Sequence, residues 1–181
     1  MARSSFLRVL AAGLVLTLGG AAGMAQTGTA PAPFPSQVFK SWALDCLVPK
    51  TGSNAGTRVC FIHHEARAPA DPKLIAARAV IRHNGPDRKL VLIVELPPNT
   101  VQASGATVAI DGGTPWPVAI IGCIPQFCYG KLDLTSALED ALKIGHEMAV
   151  GFTPKDHAAV TIPVPLAGVT AALAALEQTG S

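Results

Sequence analysis

Residues 119–130 read Ala119-Ile120-Ile121-Gly122-Cys123-Ile124-Pro125-Gln126-Phe127-Cys128-Tyr129-Gly130. Four residues separate the two cysteines, Pro125 lies between them, and Gly122 and Gly130 flank them. A proline with its φ preset and two conformationally free glycines allow a reversal sharp enough to bring two sulfurs together. The expected product is a structural staple, with strands ahead of it and largely helical chain behind it.

Working backwards, residues 116–121 and 107–110 read as short strands joined through Asp111-Gly112-Gly113-Thr114-Pro115, a glycine-bearing hairpin loop. Residues 89–96, Lys89-Leu90-Val91-Leu92-Ile93-Val94-Glu95-Leu96, are apolar almost throughout. Such a run predicts a central strand covered on both faces. Residues 74–83 contain Ala76, Ala77 and Ala79, which leave helix and strand both open. Strand is favoured because Asn84-Gly85-Pro86-Asp87 behind them is a turn signal leading into the next strand. Residues 67–72 read as a loop. Residues 58–65 and 39–46 read as the arms of a hairpin around the turn residues 49–56, with Trp42 and Cys46 facing inward.

Working forwards, Leu134, Leu138, Ala141 and Leu142 repeat at helical spacing within residues 132–143. Thr135 or Ser136 suits the N-cap and Gly145 the end. Residues 147–153 and 160–166 read as strands. Pro163 and Pro165, two apart, remove N–H donors along one edge of the second, which makes it an edge strand or one bounded by loop. Val169, Ala172, Leu173 and Leu176 predict a closing helix over residues 168–178. The fold class that results is mainly β, a β-sandwich-like single domain with two short helices and two disulfides.

The chain has 181 residues and a formal net charge of +2. Residues 1–25 have the anatomy of a signal peptide: Arg3 and Arg8 in front, an apolar run over residues 9–18, then small residues ending at Ala25. The run is about half of the roughly 20 apolar residues that a membrane-spanning helix requires. Removing Arg3 and Arg8 from the 14 Lys and Arg residues leaves 12 against 12 acidic residues. A near-neutral domain of this kind has no overall electrostatic footprint for nucleic acid or acidic lipid, and no membrane span is expected once the leader is gone. Residues 26–37, with Pro31, Pro33 and Pro35, are expected to form a Pro-rich flexible linker ahead of a domain over residues 38–178. Export places the chain in the periplasm or outside the cell, where the four cysteines, Cys46, Cys60, Cys123 and Cys128, are expected to pair. Three connectivities are open, of which Cys46–Cys60 with Cys123–Cys128 is the local one.

Trp42 and Cys46, then Cys60, the strand ending in Pro97-Pro98-Asn99, Ile110-Asp111-Gly112, the Cys123/Cys128 pair, Leu142 to Gly145, and Ile162-Pro163 through Gly168 to Leu173 occur in a characteristic order. In this the chain resembles the invasion-associated locus B family, over nearly all of the exported part. Val169 stands where that family often carries Phe. The resemblance implies an exported bacterial protein of a kind common in alphaproteobacteria, tied to the cell envelope or host-cell contact and acting through an unknown protein partner there or on a host surface. It implies no enzymatic activity, no catalytic residues and no cofactor.

Other chemistries are weighed against this. A periplasmic thiol-disulfide oxidoreductase using Cys123 and Cys128 is the alternative function. Thioredoxin-type sites, however, place two residues between their cysteines at a helix start, whereas four intervene here. His63-His64-Glu65 suggests a metal, but adjacent strand residues point to opposite faces, so no metal site is expected. No Gly-x-Ser-x-Gly elbow surrounds Ser104. Trp116, between Pro115 and Pro117, is the candidate recognition aromatic, with a core position at a strand start as the plainer reading.

Overall fold

The computed structural model describes residues 34–52, 54–68 and 71–180. The expected signal peptide, residues 1–25, and most of the 26–37 linker lie outside the described residues. The chain lays down strands β1 (Gln37–Phe39), β2 (Trp42–Leu47), β3 (Val59–Ala68), β4 (Asp71–Asn84), β5 (Lys89–Leu96), β6 (Ala106–Ile110), β7 (Trp116–Cys123) and β8 (Cys128–Asp133). Helix α1 (Ser136–Ile144) follows, then β9 (Glu147–Phe152), β10 (Val160–Pro165) and helix α2 (Val169–Gln178). The strands form one sheet in the order β1-β2-β3-β4-β5-β8-β7-β6-β9-β10. Every pairing in it is antiparallel.

Strand β7 turns this single sheet into two layers. Its first half pairs with β6, Val118 opposite Ala106, and its second half with β8, Ala119 opposite Lys131. The register slips between Ile120 and Gly122. A strand that changes partners across an irregularity makes the corner of a folded sheet. Beyond the corner the sheet curls over until β10 lies against β3 and β4. The two ends then meet: the Trp42 indole Nε1–H donates to the carbonyl of Pro165 at 2.9 Å, and Ser41 N–H donates to that of Ala167 at 3.1 Å. The sandwich-like, mainly β expectation therefore holds, with both layers drawn from one continuous sheet.

Alternation follows from the pleat. Leu44, Ile62, Ile81, Leu92 and Leu132 share one row, as do Trp42, Ala79 and Val94 with their neighbours, and these rows face the core. Helices α1 and α2 add Leu138, Leu142, Val169, Ala172, Leu173 and Leu176 to the same cluster. Each fully buried Leu or Ile is worth about 1.5–3 kcal/mol, which is why the row register is firmly held. On the opposite face of β5, Val91 is as buried as the core, whereas Ile93 and Glu95 are half-buried.

Several local expectations are corrected. The chain after the staple is not mainly helical: β8 begins at Cys128 itself. Leu132 and Leu134, read as helix, belong to the sheet side because Leu132 stands opposite Leu92. The helix starts only after Thr135, whose hydroxyl accepts from Leu138 N–H. The expected single strand over residues 39–46 is broken at Lys40, which adopts a positive φ of 53° so that Phe39 can pair with Trp42. The loop expected at residues 67–72 shrinks, since β3 runs to Ala68 and β4 starts at Asp71.

Candidate functional site

Cys123 and Cys128 stand directly opposite each other at the tip of the β7–β8 hairpin, with Cα atoms 3.9 Å apart. Four residues close the loop, and Ile124 N–H donates to the Phe127 carbonyl at 2.8 Å. Cys128 is fully buried, its Sγ 3.6 Å from the carbonyl oxygen of Pro98 and 4.0 Å from that of Thr100. Cys123 is exposed. Because the disulfide holds the loop base shut, the apolar residues between the cysteines are turned outward: Ile124 is 42% exposed, and Phe127 meets the Tyr129 ring edge-on at 6.2 Å.

Beside this loop lies a groove of about 350 Å³. Leu74 and Ile75 of β4, Leu96, Pro97 and Pro98 at the end of β5, and Phe127 supply its apolar lining. Leu74 is 56% exposed. The residues around it explain that exposure. Strand β4 pairs with β5 only from Arg78 onward, whereas on its other side it pairs with β3 back to Asp71. The first half of β4 therefore carries an unpaired edge next to the groove, with two large apolar side chains on it.

Paired charges form the remaining wall. The Arg78 guanidinium lies between two carboxylates, its Nη1 3.2 Å from Glu95 Oε2 and its Nε 3.9 Å from Glu65 Oε1. Arg67 donates to Glu65 at 2.8 Å. Half-exposed pairs such as these contribute little to stability, and they leave the groove without a dominant sign of charge.

The other sequence candidates fall elsewhere. Trp116 is half-buried at the start of β7 and packs on the core, away from the groove lining. The second disulfide joins Cys46 of β2 to Cys60 of β3, also a directly opposed pair, with Cα atoms 4.0 Å apart. No cysteine among the described residues is free. His63 and His64 diverge as strand geometry requires: His63 Nε2 lies 2.7 Å from Asp45 Oδ2, and His64 Nδ1–H donates to the Ser41 carbonyl at 2.6 Å. Burial pushes the Asp45 carboxyl up, but hydrogen bonds from Ser36 and His63 outweigh it and hold the group below the usual carboxylate range. With the carboxylate in the middle, Ser36, Asp45 and His63 do not form a nucleophile–base relay, which needs the imidazole in the middle. Among the described residues no group of three or more His, Cys, Asp or Glu side chains is placed to hold a metal ion, and no helix is long and apolar enough to cross a membrane.

Sequence reasoning missed Leu74, Ile75 and Phe127 as a group. The available signal was the Leu74-Ile75 doublet, which breaks the alternation of a one-faced strand, together with Pro97-Pro98 ending the partner strand early.

Comparison with known proteins places this geometry. A crystal structure of invasion associated protein b from Bartonella henselae superposes with a TM-score of 0.68, at 17% identity, covering 81% of this chain and 97% of that one. At that identity the likeness is one of fold. No curated protein matches the sequence. The family model described as invasion associated locus B protein matches residues 42–177. On that match, which takes in every element from β2 to α2, the chain belongs to the invasion-associated locus B family.

Proposed function

We propose that this chain is an exported, non-enzymatic protein of the envelope or the extracellular space, and that it works as a protein-interaction module at the cell envelope or in host-cell contact. The observation that carries the reading is the groove: an apolar, open concavity bordered by a disulfide-braced loop and by the free edge of β4. Exposed apolar surface of this kind marks binding sites, and a free strand edge gives a partner backbone something to pair with. Support for export comes from the leader anatomy of residues 1–25, the proline-rich sequence of residues 26–37 and the two disulfides, which persist in oxidising compartments. The partner is a protein, in the envelope or on a host surface.

The test is site-specific photocrosslinking in cells expressing the full chain, with the crosslinker at Gln126. A discrete adduct is expected, and it should vanish in Leu74→Asp while the urea midpoint of the variant stays within error of the parent. An adduct that survives Leu74→Asp, or none in any growth condition, overturns the assignment.

A thiol-disulfide oxidoreductase is the second reading, and the exposure of Cys123 favours it, since exchange begins by attack on a reachable sulfur. Against it, once reduced, Cys128 would face two carbonyl oxygens, which accept from a thiol and repel a thiolate. Reductase turnover by the parent that is lost in a folded Cys123→Ser, Cys128→Ser variant would establish this second reading in place of the first.

A further inference from the structure

At the far end of β3 from the groove, a cavity of about 520 Å³ opens between the β2–β3 and β4–β5 connections. Three arginines from three different segments line it: Arg58 just before β3, Arg82 on β4 and Arg88 in the turn before β5. Asn54, Thr57 and Asn84 add neutral hydrogen-bonding side chains. None of the described lining residues is acidic. In a domain whose basic and acidic residues balance, three arginines lining one concavity are a local concentration of basic residues that the composition does not require.

These groups are also held in place. Arg58 stacks on the Phe34 ring, 4.6 Å from its centroid, and its Nη2 lies 3.5 Å from Cys46 Sγ, so the Cys46–Cys60 disulfide braces it. Arg82 Nη1 donates to the His83 carbonyl at 3.0 Å. Arg88 Nη2 lies 3.3 Å from Nδ1 of His83, a residue that is only 9% exposed, and His83 Nε2 lies 3.0 Å from Glu177 Oε1 on α2. Because guanidinium only donates, His83 Nδ1 accepts from it, and the ring proton sits on Nε2 and is donated to Glu177. His83 thus links α2 to Arg88 as a positioning residue. Asp87 lies in the same turn as Arg88 but outside the described lining, and Glu177 reaches the site through His83.

We propose that this cavity binds a phosphate-bearing ligand, its phosphate held by Arg58, Arg82 and Arg88. Arginine suits the role because its planar fork meets phosphate oxygens two at a time and stays charged at any physiological pH. The cavity is far larger than a bare tetrahedral ion and falls in the range of small-molecule sites, so the ligand carries an organic portion beside its phosphate. A free phosphorylated metabolite and an anionic lipid headgroup share that chemistry. The site stands apart from the groove and does not depend on the interaction role proposed for it.

The test uses the chain exported by cells that express the full sequence. Glycerol 3-phosphate, succinate, and vesicles of phosphatidylglycerol or of phosphatidylcholine are titrated by calorimetry and vesicle co-sedimentation. Glycerol 3-phosphate or phosphatidylglycerol is expected to bind, and binding should weaken with added salt. Arg82→Gln and Arg88→Gln should each lower affinity about ten- to a hundredfold, the loss expected for a charge-assisted hydrogen bond, at an unchanged urea midpoint. Arg58→Gln, exposed and outside any strand, gives the same readout should either of the others unfold. Binding to free glycerol 3-phosphate assigns a soluble ligand, and binding to phosphatidylglycerol vesicles alone assigns a headgroup. Succinate binding as tightly as glycerol 3-phosphate, phosphatidylcholine vesicles binding as well as phosphatidylglycerol, affinity indifferent to all three variants, or no binding to any probe overturns the proposal.

Discussion

Gly168 is the position where the curled sheet is most exposed to a single added carbon. It precedes α2 with φ +96°, and a Cβ built there would lie 1.9 Å from the Phe39 carbonyl oxygen and 2.7 Å from its carbonyl carbon. Two costs follow for Gly168→Ala. A non-glycine residue at that φ is strained by about 1–3 kcal/mol. The overlap is with backbone rather than with a flexible side chain, so β1 or the start of α2 must move, at about 1–3 kcal/mol more. Together these remove about 2–6 kcal/mol from a domain whose total is about 5–15 kcal/mol. Gly112→Ala is the matched control, because it too has a positive φ, +72°, but nothing lies within 4 Å of its added Cβ. Urea denaturation of the oxidised proteins, with m of about 1–3 kcal/mol/M, should therefore show a midpoint lowered by more than about 1 M in Gly168→Ala and by clearly less in Gly112→Ala. Equal shifts in the two variants would show that contact with Phe39 plays no part and would refute the argument.

Three further outcomes can be checked the same way. Replacing both cysteines of the Cys46–Cys60 bridge, which spans 14 positions, should cost about 3 kcal/mol, and replacing both of the Cys123–Cys128 bridge, which spans 5, about 2 kcal/mol; chemical denaturation that ranks them the other way contradicts the chain-entropy account. Trp42→Phe removes the only indole donor to Pro165 and should cost about 1–3 kcal/mol, read from the urea midpoint; a shift within error would show that this bond does not help hold the sheet ends together. Backbone N–H groups of Glu147 and His146 hold the Asp111 carboxyl below its usual range. A carboxyl lowered in the folded state stabilises fully above the ordinary value of about 4 and loses that contribution as pH falls through the lowered one. Thermal melts of the parent should therefore fall more steeply below about pH 4 than those of Asp111→Asn, and identical slopes would rule the effect out.

Much of the fold was legible because its strands obey the pleat. The run over residues 89–96 became the central β5, and Pro163 and Pro165 did mark an edge strand, β10. Thr135 and Gly145 bracket α1 as capping chemistry suggests. What escaped was set by distant partners. Cys128, Gly130 and Leu132 form a strand because β5 offers them Leu96, Val94 and Leu92, and no local signal announces that pairing. The reversal at Lys40 likewise depends on Trp42 finding Pro165, far along the chain. The groove was missed for a related reason: Leu74 and Ile75 look like core residues unless the early stop of β5 at Pro97-Pro98 is set against the longer β4. Trp116, singled out for being flanked by prolines, is half-buried against the core at the start of the corner strand.

The hydrogen bond between Trp42 and Pro165 spans 123 positions of the chain. Closing so long a loop is slow, because its entropy must be spent before the contact returns anything. A polypeptide threaded N-terminus first through a narrow conduit would therefore emerge with its earliest strands waiting on its last segment. Such a delay would keep a threaded chain pliant, and arrival of the final helix would be the moment at which the molecule locks.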